Sequence, residues 1–90
     1  MSVKTVLLGF LRVGPLHGYE LKRIIERAMG DWTDIAFGSI YFALDRLATD
    51  GFVSASTETS ESHRPSRIVY TITERGRDEY LRLLRDLWQG

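Results

Sequence analysis

The chain has 90 residues, 43 % of them hydrophobic and 27 % charged, and its 12 basic and 12 acidic side chains cancel. That length holds one small domain with a modest core of its own, and the composition excludes a disordered chain and a membrane-spanning helix. Zero net charge argues against a simple polybasic nucleic-acid binder, while the absence of cysteine removes disulfides and thiolate metal sites and fits a cytoplasmic protein.

The opening stretch, MSVKTVLLGFL, reads as a first helix rather than a signal peptide, because no small-residue cleavage site follows its apolar run. Ser2 is placed to cap it, and Val3, Val6, Leu7, Phe10 and Leu11 fall on one face; Gly14 and Pro15 are expected to end it. The stretch GPLHGYELKRIIERAMG then passes into a second helix, with Leu21, Ile24, Ile25 and Ala28 turned inward and Gly30 as a left-handed stop. A loop with one large apolar anchor, Trp32, leads to a third helix over residues 39–50, which stops at Gly51. Its inward set is Ile40, Ala43, Leu44 and Leu47, leaving Tyr41 and Phe42 side by side on another face. After Gly51 the period changes. FVSASTE alternates as a strand, TSESHRPS is a polar loop, and RIVYTIT is β-branched and aromatic; together they form a hairpin. Thr73 caps a last helix on which Tyr80, Leu81, Leu84, Leu87 and Trp88 form an apolar stripe, widened by Leu83.

The order helix, helix, helix, hairpin, helix is that of an α+β, mostly α, winged helix-turn-helix: three helices, a two-stranded wing and a C-terminal helix. In this layout the second helix crosses the DNA backbone, the third enters the major groove, and the hairpin is the wing. From residue 63 to 77 the chain carries four arginines and a single acid, Glu74, so the wing is locally basic although the whole is neutral.

Three stretches carry a closer likeness: GPLHGYEL at residues 14–21, GSIYFALDRLATDGFV at 38–53, and RPSRIVYTITERGR at 64–77. With them the chain resembles the PadR family of bacterial transcriptional regulators. The resemblance implies a homodimeric repressor that binds a pseudo-palindromic operator in double-stranded DNA and is released by a small hydrophobic or aromatic effector. It further implies a reading domain over residues 1–73 and dimerisation through residues 74–90. Two positions depart from the family pattern: Phe42 stands after Tyr41 in place of proline, and His63 stands before Arg64 in place of glycine.

The expected DNA-facing residues are Tyr19, Lys22, Ser39, Tyr41, Arg46, Arg64 and Arg67. Tyr19 and Lys22 lie early on the backbone-crossing helix, where both suit phosphate contact. Ser39 and Tyr41 lie at the start of the reading helix, and Arg46 lies further along it. Arg64 and Arg67 flank the wing and suit the negative potential of a minor groove. Several have a plainer reading: Ser39 as an N-cap, Arg46 as a solvated surface charge, Arg64 and Arg67 as solvated hairpin charges, Tyr19 as a half-buried packing residue. Tyr80, Leu84, Leu87 and Trp88 are expected at a dimer interface, where the resemblance also places an effector pore lined by a Trp; plain interface packing accounts for Trp88 as well.

His17, beside Tyr19 and Glu20, raises a catalytic or metal reading that nothing elsewhere completes. Two distant histidines make a poor metal set, and neither a nucleophile elbow nor a glycine-rich phosphate loop is present. His17 is read as shaping the start of the second helix, and no enzyme activity, metal or cofactor is expected. The competing function is a winged-helix protein-interaction module, favoured by zero net charge and the Tyr41–Phe42 pair.

Overall fold

The computed structural model describes residues 2–29, 37–58 and 67–89. The stop at Gly30, the anchor Trp32, and the wing residues His63 and Arg64 lie outside the described residues. Helix α1 spans Val3–Leu11, strand β1 Leu16–His17, α2 Gly18–Met29, α3 Phe37–Thr49, β2 Val53–Glu58, β3 Arg67–Ile72, and α4 Glu74–Gln89.

Ser2 starts α1 as expected, its extended backbone leaving the hydroxyl oxygen to accept the Thr5 N–H at 3.2 Å. The burial of α1 is wider than one stripe. Leu7, Leu8 and Leu11 are fully buried and Val6 nearly so, whereas Val3 and Phe10 are only partly covered. The reason is position: α1 packs against α3, β3 and α4, so neighbours cover it from several sides. The helix also ends earlier than Gly14, at Leu11.

Leu21 and Ile25 of α2, Ile40, Leu44 and Leu47 of α3, Val53 of β2, and Tyr70 and Ile72 of β3 complete the core. Helical spacing of three and four accounts for each helical member. Ala28 does not join them. It is exposed, as are Glu26 and Arg27, because the last turn of α2 runs past the edge of the core layer. Helix α3 begins at Phe37, so Ser39 lies inside its first turn rather than at its cap.

The hairpin is antiparallel and in register from Val53 opposite Ile72 to Glu58 opposite Arg67. Sequence alone did not predict the third strand. Leu16 and His17 pair with Tyr70 and Val69 across the other edge of β3, giving the order β1-β3-β2. Two residues are too few to display an alternating pattern; the free edge of β3 makes this strand.

The junction of α3, the wing and α4 is tightly tied. Gly51 ends α3 with φ of 81°, in the left-handed region that favours glycine. Thr73 caps α4 as expected: its hydroxyl oxygen accepts the Gly76 N–H at 3.0 Å, and its O–H donates to the Gly51 carbonyl at 2.8 Å. Its backbone N–H donates to the Phe52 carbonyl at 3.0 Å.

Helix α4 is also tied back to α1. Lys4 Nζ lies 2.6 Å from Glu79 Oε2, and Arg82 holds the same carboxylate through Nε at 2.6 Å and Nη2 at 3.0 Å. The Arg82 hydrogen bonds, then that of Lys4, hold the largely covered Glu79 carboxyl well below its usual range, at about 2. The folded state therefore binds fewer protons than the unfolded one as pH drops. The stabilisation from Glu79 is present above about 4.5 and is lost as pH falls towards about 2. Glu79→Gln is expected to cost about 1 kcal/mol at neutral pH. Urea melts should show the gap between variant and wild type closing across that acid window; a gap independent of pH would refute the assignment.

Candidate nucleic-acid interface

The start of α2 is built by its own residues. Glu20 accepts the backbone N–H of His17 at 3.2 Å, so the third residue of the helix reaches back to the residue before it, as in half of a capping box. Gly18 is buried, and a Cβ there would lie 2.8 Å from Cε1 of Tyr41. The missing side chain is the hollow into which the Tyr41 ring fits. With Ile40 and Leu44 fixing the inner face of α3, Tyr41 is turned towards the start of α2 and stays 42 % exposed.

Where α2, α3 and β3 meet, an open groove of about 670 Å³ is lined by Tyr19, Arg23, Tyr41, Arg67 and Ile68, among others, with Tyr70 among its walls. Tyr70 is buried, and that burial, reinforced by Asp45, raises its hydroxyl above the ordinary range and keeps it neutral. His17 lies at one side of the groove. Its Nε2 is 2.9 Å from Glu58 Oε2 on β2, and its Nδ1 faces Glu20. The hydrogen bond to Glu58, with support from Glu20, raises the imidazole above its usual range against a smaller loss from desolvation.

Of the residues expected to face DNA, the fold brings Tyr19, Tyr41 and Arg67 to this one groove. Ser39 and Arg46 lie exposed elsewhere on α3, with Arg46 Nε 4.0 Å from Asp50. Lys22 is largely covered: its ammonium is 3.4 Å from Glu26 and 5.4 Å from the centre of the Tyr19 ring. Arg64 is outside the described residues. Sequence reasoning left out Arg23 and Tyr70 and gave His17 and Glu20 no place in a site. Arg23 was recoverable, since it follows Tyr19 by four residues and so shares its helical face. Phe42, placed beside Tyr41 and away from the inward set, is 71 % exposed.

The last-helix residues divide. Tyr80 packs within the chain, its ring 3.2 Å from where a Cβ on Gly9 would stand and 5.2 Å from the Arg12 guanidinium. Leu84 is half-buried, whereas Leu87 and Trp88 are exposed, Trp88 to 89 %. Among the described residues no cluster of His, Asp or Glu is arranged to hold a metal ion, and no helix is long and apolar enough to cross a membrane.

A helix-turn-helix pair backed by α1 and flanked by an antiparallel wing defines a winged helix-turn-helix domain. Residues 7–82 match the Transcriptional regulator PadR-like family. The chain belongs to that family, whose members are transcription regulators and not enzymes. It is 30 % identical over 77 residues to the negative transcriptional regulator PadR of Bacillus subtilis, covering 86 % of this chain and 42 % of that protein. Its fold matches the crystal structure of B. subtilis PadR in complex with operator DNA with a TM-score of 0.80 at 30 % identity, over 90 % of this chain and 45 % of that one. It also matches smu.1604c from Streptococcus mutans, with a TM-score of 0.86 at 30 % identity over 94 % and 49 % of the two chains. A regulator from Clostridium thermocellum matches with a TM-score of 0.83 at 25 % identity, over 97 % and 80 %. The chain thus spans less than half the length of the B. subtilis regulator.

Proposed function

We propose that this chain reads double-stranded DNA as part of a homodimeric, cytoplasmic repressor that a small hydrophobic or aromatic effector releases. The observation that carries the reading is the convergence of Tyr19, Tyr41 and Arg67 from α2, α3 and the wing on one open groove. Tyr19 lies in the first turn of α2, where the helix dipole and unpaired backbone N–H groups favour an anion, and Tyr41 reaches the same groove from the second turn of α3. A phosphate seated there would fix the register of α3 in the major groove, and Ser39 and Arg46 along that helix would face the duplex. Arg64 and Arg67 would give the wing its grip on the adjacent minor groove. The B. subtilis relative solved with operator DNA supports the choice of ligand. The exposed Leu87 and Trp88, with Leu84 beside them, supply an apolar helix face for a second copy, and the effector would enter at that face.

The test uses duplexes from the DNA immediately upstream of the protein's own gene, with half-sites whose centres lie about 34–36 Å apart. Binding should weaken steeply with salt, because phosphate contacts release counterions. The second reading, a protein-interaction module, rests on the exposed Phe42 beside Tyr41. It predicts no salt-sensitive duplex binding at all, and that result would decide for it.

A further inference from the structure

His17 is caught between two acids from different parts of the chain. Its Nδ1 faces Glu20 of its own helix start, and its Nε2 is 2.9 Å from Glu58, 41 residues away at the described end of β2. An imidazole donates from both nitrogens only when doubly protonated; a neutral ring has one donor and one lone pair. Either neutral tautomer therefore turns a lone pair towards a carboxylate. Glu20 also accepts the backbone N–H of His17, so it stays anchored when the proton leaves. Glu58 lies exposed at the end of β2, the outer strand of the wing, and has no such backbone anchor to the start of α2 among the described residues.

The charges around the ring make the same proton matter to an anion. Glu20 of α2 and Glu58 of β2 face the ring, and Arg23 of α2, Arg67 of β3, Tyr41 of α3 and Tyr70 of β3 line the same groove. Asp45 stands behind Tyr70. Two arginines offset Glu20 and Glu58 when His17 is neutral and leave Asp45 uncancelled; the His17 proton removes that remaining negative charge from the set.

We propose that His17 is a proton-linked positioning residue: its imidazolium clasps Glu58 of the wing to the start of α2 and cancels one carboxylate beside the groove, so that duplex binding takes up a proton. The inference rests on the duplex reading above and adds to it a dependence on pH. His17 touches no ligand in this role; it sets the angle of the wing and the charge that a phosphate meets.

Two measurements test it, both in a His63→Gln background so that His17 is the one histidine. The first titrates the His17 ring by NMR in the free protein. Its midpoint should lie above 6.5 and fall in Glu58→Gln; a midpoint unmoved by that substitution overturns the clasp, whatever DNA does. The second follows affinity for the upstream duplex at fixed salt. Binding at about pH 6 should be at least ~3-fold tighter than at about pH 8.5, and His17→Gln should flatten that profile while remaining folded. A profile unchanged by His17→Gln overturns the proton linkage. Absence of duplex binding at every pH overturns the DNA reading as well, and the NMR titration separates that failure from failure of the clasp.

Discussion

Gly76→Ala is expected to lower stability by about 3 kcal/mol, which in a domain of this size lowers Tm by about 12 °C or more. A Cβ at position 76 would stand 2.0 Å from the carbonyl oxygen of Phe52 and 2.9 Å from Cγ1 of Ile72. The first neighbour is backbone, so no rotamer change relieves the clash. Retreat of α4 is opposed at the same place, because Thr73 bonds the helix start to both Gly51 and Phe52. The added methyl must therefore break the cap, displace Phe52, or pull α4 away from β3. Gly38 is the matched control. It too is helical, but among the described residues nothing stands within 4 Å of a Cβ there. Gly38→Ala should leave stability unchanged or raise it by about 0.5 kcal/mol, through helix propensity and a less flexible unfolded chain. Thermal melts of the two variants decide the matter: equal losses would mean that the close approach at Phe52 carries no energy.

Tyr41→Phe should weaken duplex binding about tenfold, equivalent to about 1.4 kcal/mol, with little change in Tm. The ring fills the hollow above Gly18, and phenylalanine keeps that packing while removing the hydroxyl that would meet phosphate. Tyr41→Ala should lose more affinity, because the hollow is then empty and Tyr70 beneath is uncovered. Gly18→Ala approaches the same result from the other side, pushing the intact tyrosine off its seat. Anisotropy titrations with the upstream duplex, paired with melts, separate the two contributions. Wild-type affinity in Tyr41→Phe would remove the hydroxyl from the proposed interface.

What could be read before folding followed from periodicity. The repeats of Leu21 with Ile25, and of Ile40 with Leu44 and Leu47, announced two helices and their inner faces, and Ser2 and Thr73 announced two starts. The alternation of FVSASTE and the β-branched, aromatic run RIVYTIT announced the hairpin. Features created by tertiary contact stayed hidden. Strand β1 exists because β3 offers an edge, and Ala28 is exposed because α2 outruns the core. The same division holds for the site. Tyr19, Tyr41 and Arg67 were each suggested by place on an element, but their meeting in one groove depends on the hollow at Gly18. The bridge from His17 to Glu58 crosses 41 residues, and only the sheet register brings its ends together.

The central place of α1 has a consequence for synthesis on the ribosome. This helix is made before every partner that covers it, and its ion-pair partner Glu79 follows Lys4 by 75 residues. At about 5–20 residues per second, that interval leaves Leu7, Leu8 and Leu11 without their final cover for roughly 4–15 s. The nascent chain must therefore emerge with its most buried leucines still unsheltered. A chaperone that shields short apolar helices near the exit tunnel would meet this segment before α3, the wing and α4.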